Sequence, residues 1–182
     1  AAEAAEKAFP AWSKTSAADR AAILSKALEM FRLQRYRLAA AVLISSGMTR
    51  DESMAEADAF IKITEDAVAD AVKTRKKPTG AWAVISAHNS PLASTIGYAV
   101  AAMAAGNTVV VIPSKYAPLP SFLAYEILAR AGIPDGVLNL IVDRKDSVQT
   151  ELADDERIVG VVASGSGKNM EDMMFLQVDD EL

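Results

Sequence analysis

The sequence contains no cysteine and a single histidine, His88. Without cysteine, the chain forms no disulfide, offers no thiolate to a metal and has no cysteine nucleophile of its own. One histidine also excludes a metal site built on several histidines of this chain. We therefore expect no metal site, and a reaction that needs a thiolate would have to obtain it from outside these 182 residues.

Positive charge and long apolar runs are also scarce. The 19 Lys and Arg residues are outnumbered by 24 Asp and Glu residues, which gives a net charge of -5. A surface that binds a phosphate backbone needs an excess of Lys and Arg, so we expect no nucleic-acid partner. The longest apolar stretch, around residues 96–105, contains Gly97 and Tyr98 and is too short to span a bilayer. We expect no membrane association and, since no secretory signal is visible, a cytoplasmic protein.

The hydrophobic pattern changes character at about residue 78. Before it, apolar residues recur at three- and four-residue steps, which predicts one helix from the Ser16 cap to near Gly47 and a second over residues 51–72, with Val72 on its inner side. After Pro78 and Gly80, four β-rich runs (81–85, 108–112, 137–142 and 158–163) alternate with helical patterns (91–105, 119–131 and 147–154). Such alternation predicts an α/β domain with a parallel sheet and helices on both faces, preceded by an α-helical segment. We expect a helical segment over residues 1–77 that packs on a sheet domain over residues 78–182.

Two loops at the predicted strand ends carry polar side chains. Asn89 follows the first strand, and Pro113 with Ser114 follows the second. In an open parallel sheet, ligands bind at the carboxyl ends of the strands. The Asn89 carboxamide is suited to stabilise an oxyanion on a carbonyl under attack; alternatively, Asn89 caps the helix that begins near Pro91. His88 has no second histidine or carboxylate beside it, so a plain loop or surface role is its alternative.

The GSGK string at residues 165–168 follows the last predicted strand but fails as a nucleotide-phosphate loop. That motif needs a glycine five residues before its Gly-Lys pair and Ser or Thr after the lysine. Here the two positions hold Val162 and Asn169. Ser166 still offers a hydroxyl and a backbone N–H to an anion.

Four segments, in order, resemble the amino-terminal half of the aldehyde dehydrogenase superfamily. They are AFPAWS at 8–13, AWAVISAHNSPL at 81–92, AAGNTVV at 104–110 and GIPDGVLN at 132–139. The resemblance covers nearly the whole chain. It implies a Rossmann-like domain that binds NAD or NADP, and a separate catalytic domain that these residues do not include.

The resemblance also implies roles for individual residues. Asn89 occupies the position of the family's oxyanion asparagine, so it is the catalytic candidate. The residues implied to bind the cofactor are Ser86 and His88 beside the nicotinamide ribose, Ser114 and Lys115 beside the adenosine ribose, and Gly165 and Ser166 beneath the pyrophosphate. Lys115 stands where the family has glutamate, and its charge would favour the 2′-phosphate of NADP.

Departures from the family pattern lead to two hypotheses. Ile112 and Lys115 replace the family's ribose-binding Lys and Glu, and DRKD at 143–146 replaces a glycine-rich loop. The pattern is also similar to the non-catalytic second module of the family 16 aldehyde dehydrogenases. The chain is then either the cofactor half of an enzyme that oxidises aldehydes to carboxylic acids or an inactive module with a structural or assembly role. In either case we expect a homo-oligomer or a partner chain that covers the surface left by the absent catalytic half.

Overall fold

The computed structural model describes residues 1–73, 77–86, 89–142 and 147–164. Their elements, in chain order, are α1 (Ala2–Trp12), α2 (Ala17–Leu33), α3 (Arg35–Ser46), α4 (Arg50–Ala71), β1 (Ala81–Ile85), a π-helix (Ala93–Gly97), α5 (Tyr98–Ala104), β2 (Thr108–Ile112), α6 (Pro118–Ala131), β3 (Leu138–Leu140), α7 (Ser147–Ala153) and β4 (Ile158–Ala163).

The four strands form one parallel sheet in the order β3-β2-β1-β4. Strands β1, β2 and β4 have the predicted bounds, whereas β3 is shorter than the predicted run 137–142. The chain moves from β1 to β2 to β3 in one direction and then returns past β1 to β4. The order of connections therefore reverses between β1 and β4, and the crevice at such a point is where open α/β sheets bind ligands.

Alternate side chains of each strand are buried on opposite faces of the sheet. On one face, Val84, Val109 and Val111 join a core cluster with residues of α2 to α6 and the π-helix. On the other face, apolar residues of the strands pack against α1 and α7, which contribute buried residues such as Ala5 and Leu152. The predicted α/β fold with helices on both faces is confirmed. Since residues of α2, α3 and α4 belong to the larger cluster, the helical segment and the sheet share one core.

Two of the amino-terminal helices, α2 and α4, begin at side-chain caps. Ser16 Oγ accepts a hydrogen bond from Asp19 N at 3.1 Å. Thr49 and Glu52 form a reciprocal capping box at the start of α4, in which each side chain accepts from the other's backbone N–H. Both arrangements satisfy first-turn donors that have no partner within the helix.

Three details of the helical prediction are wrong. The single helix predicted up to Gly47 is two helices, because the backbone leaves helical geometry at Gln34 between α2 and α3. Val72 is 58% exposed rather than inward-facing, and the inner side of α4 carries buried residues at Ser53, Ala57, Phe60 and Thr64. The helix predicted from Pro91 starts only at Ala93, and its first turn is a π-helix. Among the described residues, no helix has both the length and the apolar composition needed to cross a bilayer.

Candidate functional site

Three strands end at the same level on the carboxyl edge of the sheet. Ile85 at the end of β1 is in register with Ile112 of β2 and with Ala163 of β4. Ser86 N donates to Ile112 O at 3.2 Å, and Ser164 N donates to Ile85 O at 2.9 Å. The first residues beyond β1, β2 and β4 are therefore neighbours, as the parallel topology predicts.

Ser86 lies at the point where the connections reverse. Ser86 is only 5% exposed, and among the described residues its Oγ is buried without a hydrogen-bond partner. An unsatisfied buried hydroxyl costs about 1–3 kcal/mol, so such groups in native folds call for an explanation. The edge thus carries one hydroxyl that the fold itself does not use.

Asn89 follows β1 and is exposed. The capping alternative for Asn89 is wrong, because the π-helix has Leu92 as its N-cap residue and no cap from a side chain at that position. The first-turn N–H groups of Leu92 and Ala93 donate instead to Glu56 Oε1, and Ser94 N donates to Ser90 Oγ. Among the described residues, no side-chain hydrogen bond engages the Asn89 carboxamide, which leaves it accessible at the carboxyl edge.

Two side chains that the sequence analysis did not single out hold the segment just after Asn89. Glu56 of α4 accepts three hydrogen bonds at one carboxylate oxygen, and Ser121 of α6 donates to Pro91 O at 2.7 Å. Both lie far from the loop in sequence. The only local signal for Glu56 is a carboxylate next to the buried positions Ser53, Ala57 and Phe60 on α4.

The loop after β2 contains the candidate residues Ser114 and Lys115. Ser114 is 7% exposed, and its Oγ accepts from Tyr116 N at 3.3 Å, as in a serine turn. The Lys115 ammonium lies 5.5 Å from the centroid of the Tyr116 ring. Ile112, where the resemblance implies a ribose-binding lysine, is buried against the α1 side of the sheet. At the end of β2, an apolar side chain therefore occupies the position where the resemblance implies a ribose-binding donor.

Ser164 connects β4 to the helix that follows β1. Its Oγ donates to Ser94 Oγ at 3.1 Å, across the point where the connections reverse. The remaining predicted site residues, His88, Gly165 and Ser166, lie outside the described residues. The structure thus brings Ser86, Asn89, Ser114 and Lys115 to loops on one edge of the sheet.

Two asparagines of the resembling segments have structural contacts. Asn107 Oδ1 accepts from Thr79 N at 2.8 Å and from Gly80 N at 3.3 Å, which ties the start of β2 to the chain entering β1. Asn139 Nδ2 donates to Gly136 O at 2.7 Å and to Val109 O at 3.2 Å. These residues hold the strands in place and do not contribute to the candidate site.

Comparison with known proteins agrees with this architecture. The sequence matches the family described as the aldehyde dehydrogenase family over residues 1–177. It is 35% identical over 161 residues to the bifunctional protein PutA of Escherichia coli, covering 86% of this chain and 12% of that protein. It is 32% identical over 174 residues to 2,5-dioxopentanoate dehydrogenase of Saccharolobus solfataricus, covering 87% of this chain and 36% of that protein.

Solved structures that resemble the chain include dehydrogenases. A variant of 1-pyrroline-5-carboxylate dehydrogenase from Thermus thermophilus superposes with a TM-score of 0.93 at 27% identity, covering 96% of this chain and 37% of that one. A 1-pyrroline-5-carboxylate dehydrogenase from Thermus with bound NAD superposes with a TM-score of 0.90 at 27% identity, with the same coverage of 96% and 37%. The chain therefore spans little more than a third of the length of these dehydrogenases.

Proposed function

The chain belongs to the aldehyde dehydrogenase family, and from that premise we propose that it is the cofactor-domain half of an NAD- or NADP-dependent enzyme that oxidises an aldehyde to a carboxylic acid. In this proposal residues 78–182 are the dinucleotide-binding-type domain, and residues 1–77 are the helical segment that packs on it. The catalytic domain comes from polypeptide beyond these residues. We also propose that it acts in the cytoplasm.

The observation that carries the proposal is the accessible carboxamide of Asn89 at the carboxyl edge. Because Glu56 and Ser90 satisfy the first-turn donors of the following helix, Asn89 is not needed as a cap. Its Nδ2–H groups can then donate to the oxygen of an aldehyde carbonyl as negative charge develops there, which lowers the barrier to addition. The chain has no cysteine, so the thiolate that adds to the carbonyl belongs to another segment.

The described residues fit a dinucleotide at the point where the connections reverse. The buried, unpartnered Oγ of Ser86 lies there, and a bound ribose or a water held by it would supply the missing partner. Ser114 and Lys115 follow the neighbouring strand, with His88, Gly165 and Ser166 as further proposed contacts. When bound, the nicotinamide of NAD or NADP would accept the hydride from the substrate.

A second candidate is an inactive module with a structural or assembly role. The second loop favours it, because Ser114 Oγ already accepts a hydrogen bond from Tyr116 N. An apolar residue, Ile112, stands where the family pattern places a ribose donor, and an apolar side chain offers no hydrogen bond. A shared fold does not by itself carry an activity.

Calorimetric titration of the chain with NAD and with NADP separates the two candidates. Saturation in the micromolar range, about -8 kcal/mol of binding free energy, supports the cofactor-domain proposal. Tighter binding of NADP would support the Lys115 contact with a 2′-phosphate. No heat of binding at millimolar cofactor supports the inactive module and overturns the first proposal.

Ser86→Ala tests the proposed contact, and Ser53→Ala is its matched control. Ser53 carries the other buried hydroxyl without a partner among the described residues, and it lies on α4. Ser86→Ala is expected to weaken binding roughly three- to tenfold, as the loss of one hydrogen bond does. Ser53→Ala should leave affinity unchanged. Equal affinities of the wild type and both variants would remove Ser86 from the site.

A further inference from the structure

The segment Ser90–Ala93, immediately after Asn89, is held by a carboxylate from a helix far away in sequence. Glu56 Oε1 accepts from Ser90 Oγ at 3.0 Å, from Leu92 N at 3.0 Å and from Ala93 N at 2.9 Å. Hydrogen bonds to a charged acceptor are about twice as strong as neutral ones. A carboxylate at the start of a helical run is also favoured by the helix dipole.

A second side chain holds the same segment from the opposite direction. Ser121 of α6 is fully buried, and its Oγ donates to Pro91 O at 2.7 Å. The carbonyl of Ser90 accepts from Ser94 Oγ at 2.9 Å and from Thr95 Oγ1 at 3.0 Å. The hydrogen-bonding groups of the segment Ser90–Ala93 are thus held by side chains of α4 and α6 and by the turn itself.

Close packing restricts movement of this segment further. A Cβ built on Gly97, at the end of the π-helix, would lie 3.2 Å from Ile63 Cγ2 of α4. The same helix that presents Glu56 therefore lies directly against the turn that Glu56 caps. A π-helical turn often occurs at functional sites, and here Gly97 N donates to Leu92 O, five residues before it.

We propose that Glu56 and Ser121 are positioning residues for Asn89. The Asn89 carboxamide is exposed and makes no side-chain hydrogen bond within the described part of the chain. Glu56 and Ser121 hold the backbone that directly follows it, and we expect this restraint to fix its place at the carboxyl edge. The proposal rests on the proposed function of Asn89 for its catalytic meaning, but the restraint itself is a property of this chain without cofactor or substrate.

Backbone ¹⁵N relaxation of the cofactor-free chain measures the restraint directly. In the wild type, the order parameter of the Asn89 amide should be that of a rigid backbone, about 0.85. Glu56→Ala should lower it towards the flexible range, below about 0.6, and Ser121→Ala should lower it less. Glu56→Gln retains the size and one acceptor oxygen of the side chain, so it should restore an order parameter near that of the wild type.

Glu65→Ala is the matched control, since Glu65 is a carboxylate of the same helix that forms an exposed ion pair with Arg32 at 3.2 Å. It should leave Asn89 rigid. Wild-type order at Asn89 in both Glu56→Ala and Ser121→Ala would overturn the proposal. A loss of order spread equally over β1 and α5 would also overturn it, because that pattern marks general destabilisation. If Glu56→Ala fails to fold, Ser121→Ala and the Glu56→Gln comparison decide alone.

The outcome is independent of the cofactor titration. A mobile Asn89 in Glu56→Ala together with NAD or NADP binding supports both proposals. The same mobility without any cofactor binding supports the restraint and overturns the proposed enzyme function. A rigid Asn89 in the variants of both positioning residues overturns the restraint, whatever the titration gives.

Discussion

Gly106 is a residue at which both the backbone and its surroundings require glycine. Its φ is +94°, and a Cβ there would lie 2.7 Å from Pro78 Cγ and 3.1 Å from Arg20 Cζ. The Arg20 side chain cannot move aside freely, because it is buried and its Nε donates to Ala104 O at 3.1 Å. Burial also lowers the pKa of the Arg20 guanidinium.

Gly106→Ala is therefore expected to lower the free energy of unfolding by more than about 2 kcal/mol, from left-handed strain plus the clash. Gly132→Ala is the matched control, since Gly132 has φ of +106° but no atom within 4 Å of its added Cβ. It should lose only the strain, about 1–2 kcal/mol. Urea denaturation measures the free energy of unfolding of both variants. Equal decreases would show that Pro78 and Arg20 move aside at no cost when Cβ is added at Gly106.

At the residue scale, the sequence located a side chain in the fold only where its informative neighbours are close in sequence. Asn89 was predicted from a polar loop between a strand and a helix, and its accessibility at the carboxyl edge agrees, although its catalytic role stays a prediction. Glu56 was missed because Ser90, which it contacts, is 34 residues away. The hydrophobic periodicity indicates which side of α4 is apolar. It does not indicate which distant backbone groups a carboxylate at the edge of that side, such as Glu56, will accept hydrogen bonds from.

At the scale of elements, the strands were easier to predict than the helices. Strand β2 is a run of β-branched residues and β1 is a short apolar run with Trp82, Val84 and Ile85. Both are bounded by Gly, Pro or polar residues, and local sequence determines such boundaries. The break at Gln34 was missed because the apolar stripe continues from α2 into α3. The π-helix depends on tertiary contacts, namely Glu56 at its first N–H groups and Ile63 against Gly97, and no local pattern encodes them.

The junction of α3 and α4 should show a specific pH dependence. Arg35 donates to both carboxylate oxygens of Asp58, with Nη2 to Oδ2 at 2.5 Å. This hydrogen bonding lowers the pKa of the Asp58 carboxyl from its ordinary value. A lowered pKa in the folded state means that the contribution to stability is present above the unfolded-state pKa of about 3.9 and is lost as the pH falls through the folded-state value.

Asp58→Asn should therefore lower the melting temperature at pH 7 by about 1–3 °C, since the pair is partly exposed. The difference from the wild type should shrink below about pH 4 and disappear in stronger acid. Thermal denaturation across this pH range measures it. In an Arg35→Gln background the same substitution should have almost no effect; an undiminished effect there would assign the loss to a contact other than Arg35.

For the whole molecule, we expect further polypeptide to pack on the surface beside β1 and β4. Two neighbouring grooves of about 370 Å³ and 320 Å³ share Tyr98 and Ala101 in their linings. Trp82 and Val162 line the second groove, and the outer edge of β4 pairs with no strand among residues the structure describes. Since the chain spans 37% of a structurally similar dehydrogenase, this side is suited to contact the remainder of such a protein.

We therefore expect the isolated chain to self-associate through this surface. Tyr98 is 39% exposed and contributes to both grooves, so Tyr98→Lys places a charge in the proposed contact and should shift the population towards monomer in light scattering. Ile44→Lys is the control, because Ile44 is 75% exposed on α3 and lines neither groove. It introduces the same charge and should leave association unchanged, provided that both variants retain the wild-type circular dichroism. A wild-type chain that stays monomeric at every concentration contradicts the expectation. Equal shifts towards monomer in the two variants would attribute the loss of association to general charge repulsion and not to these grooves.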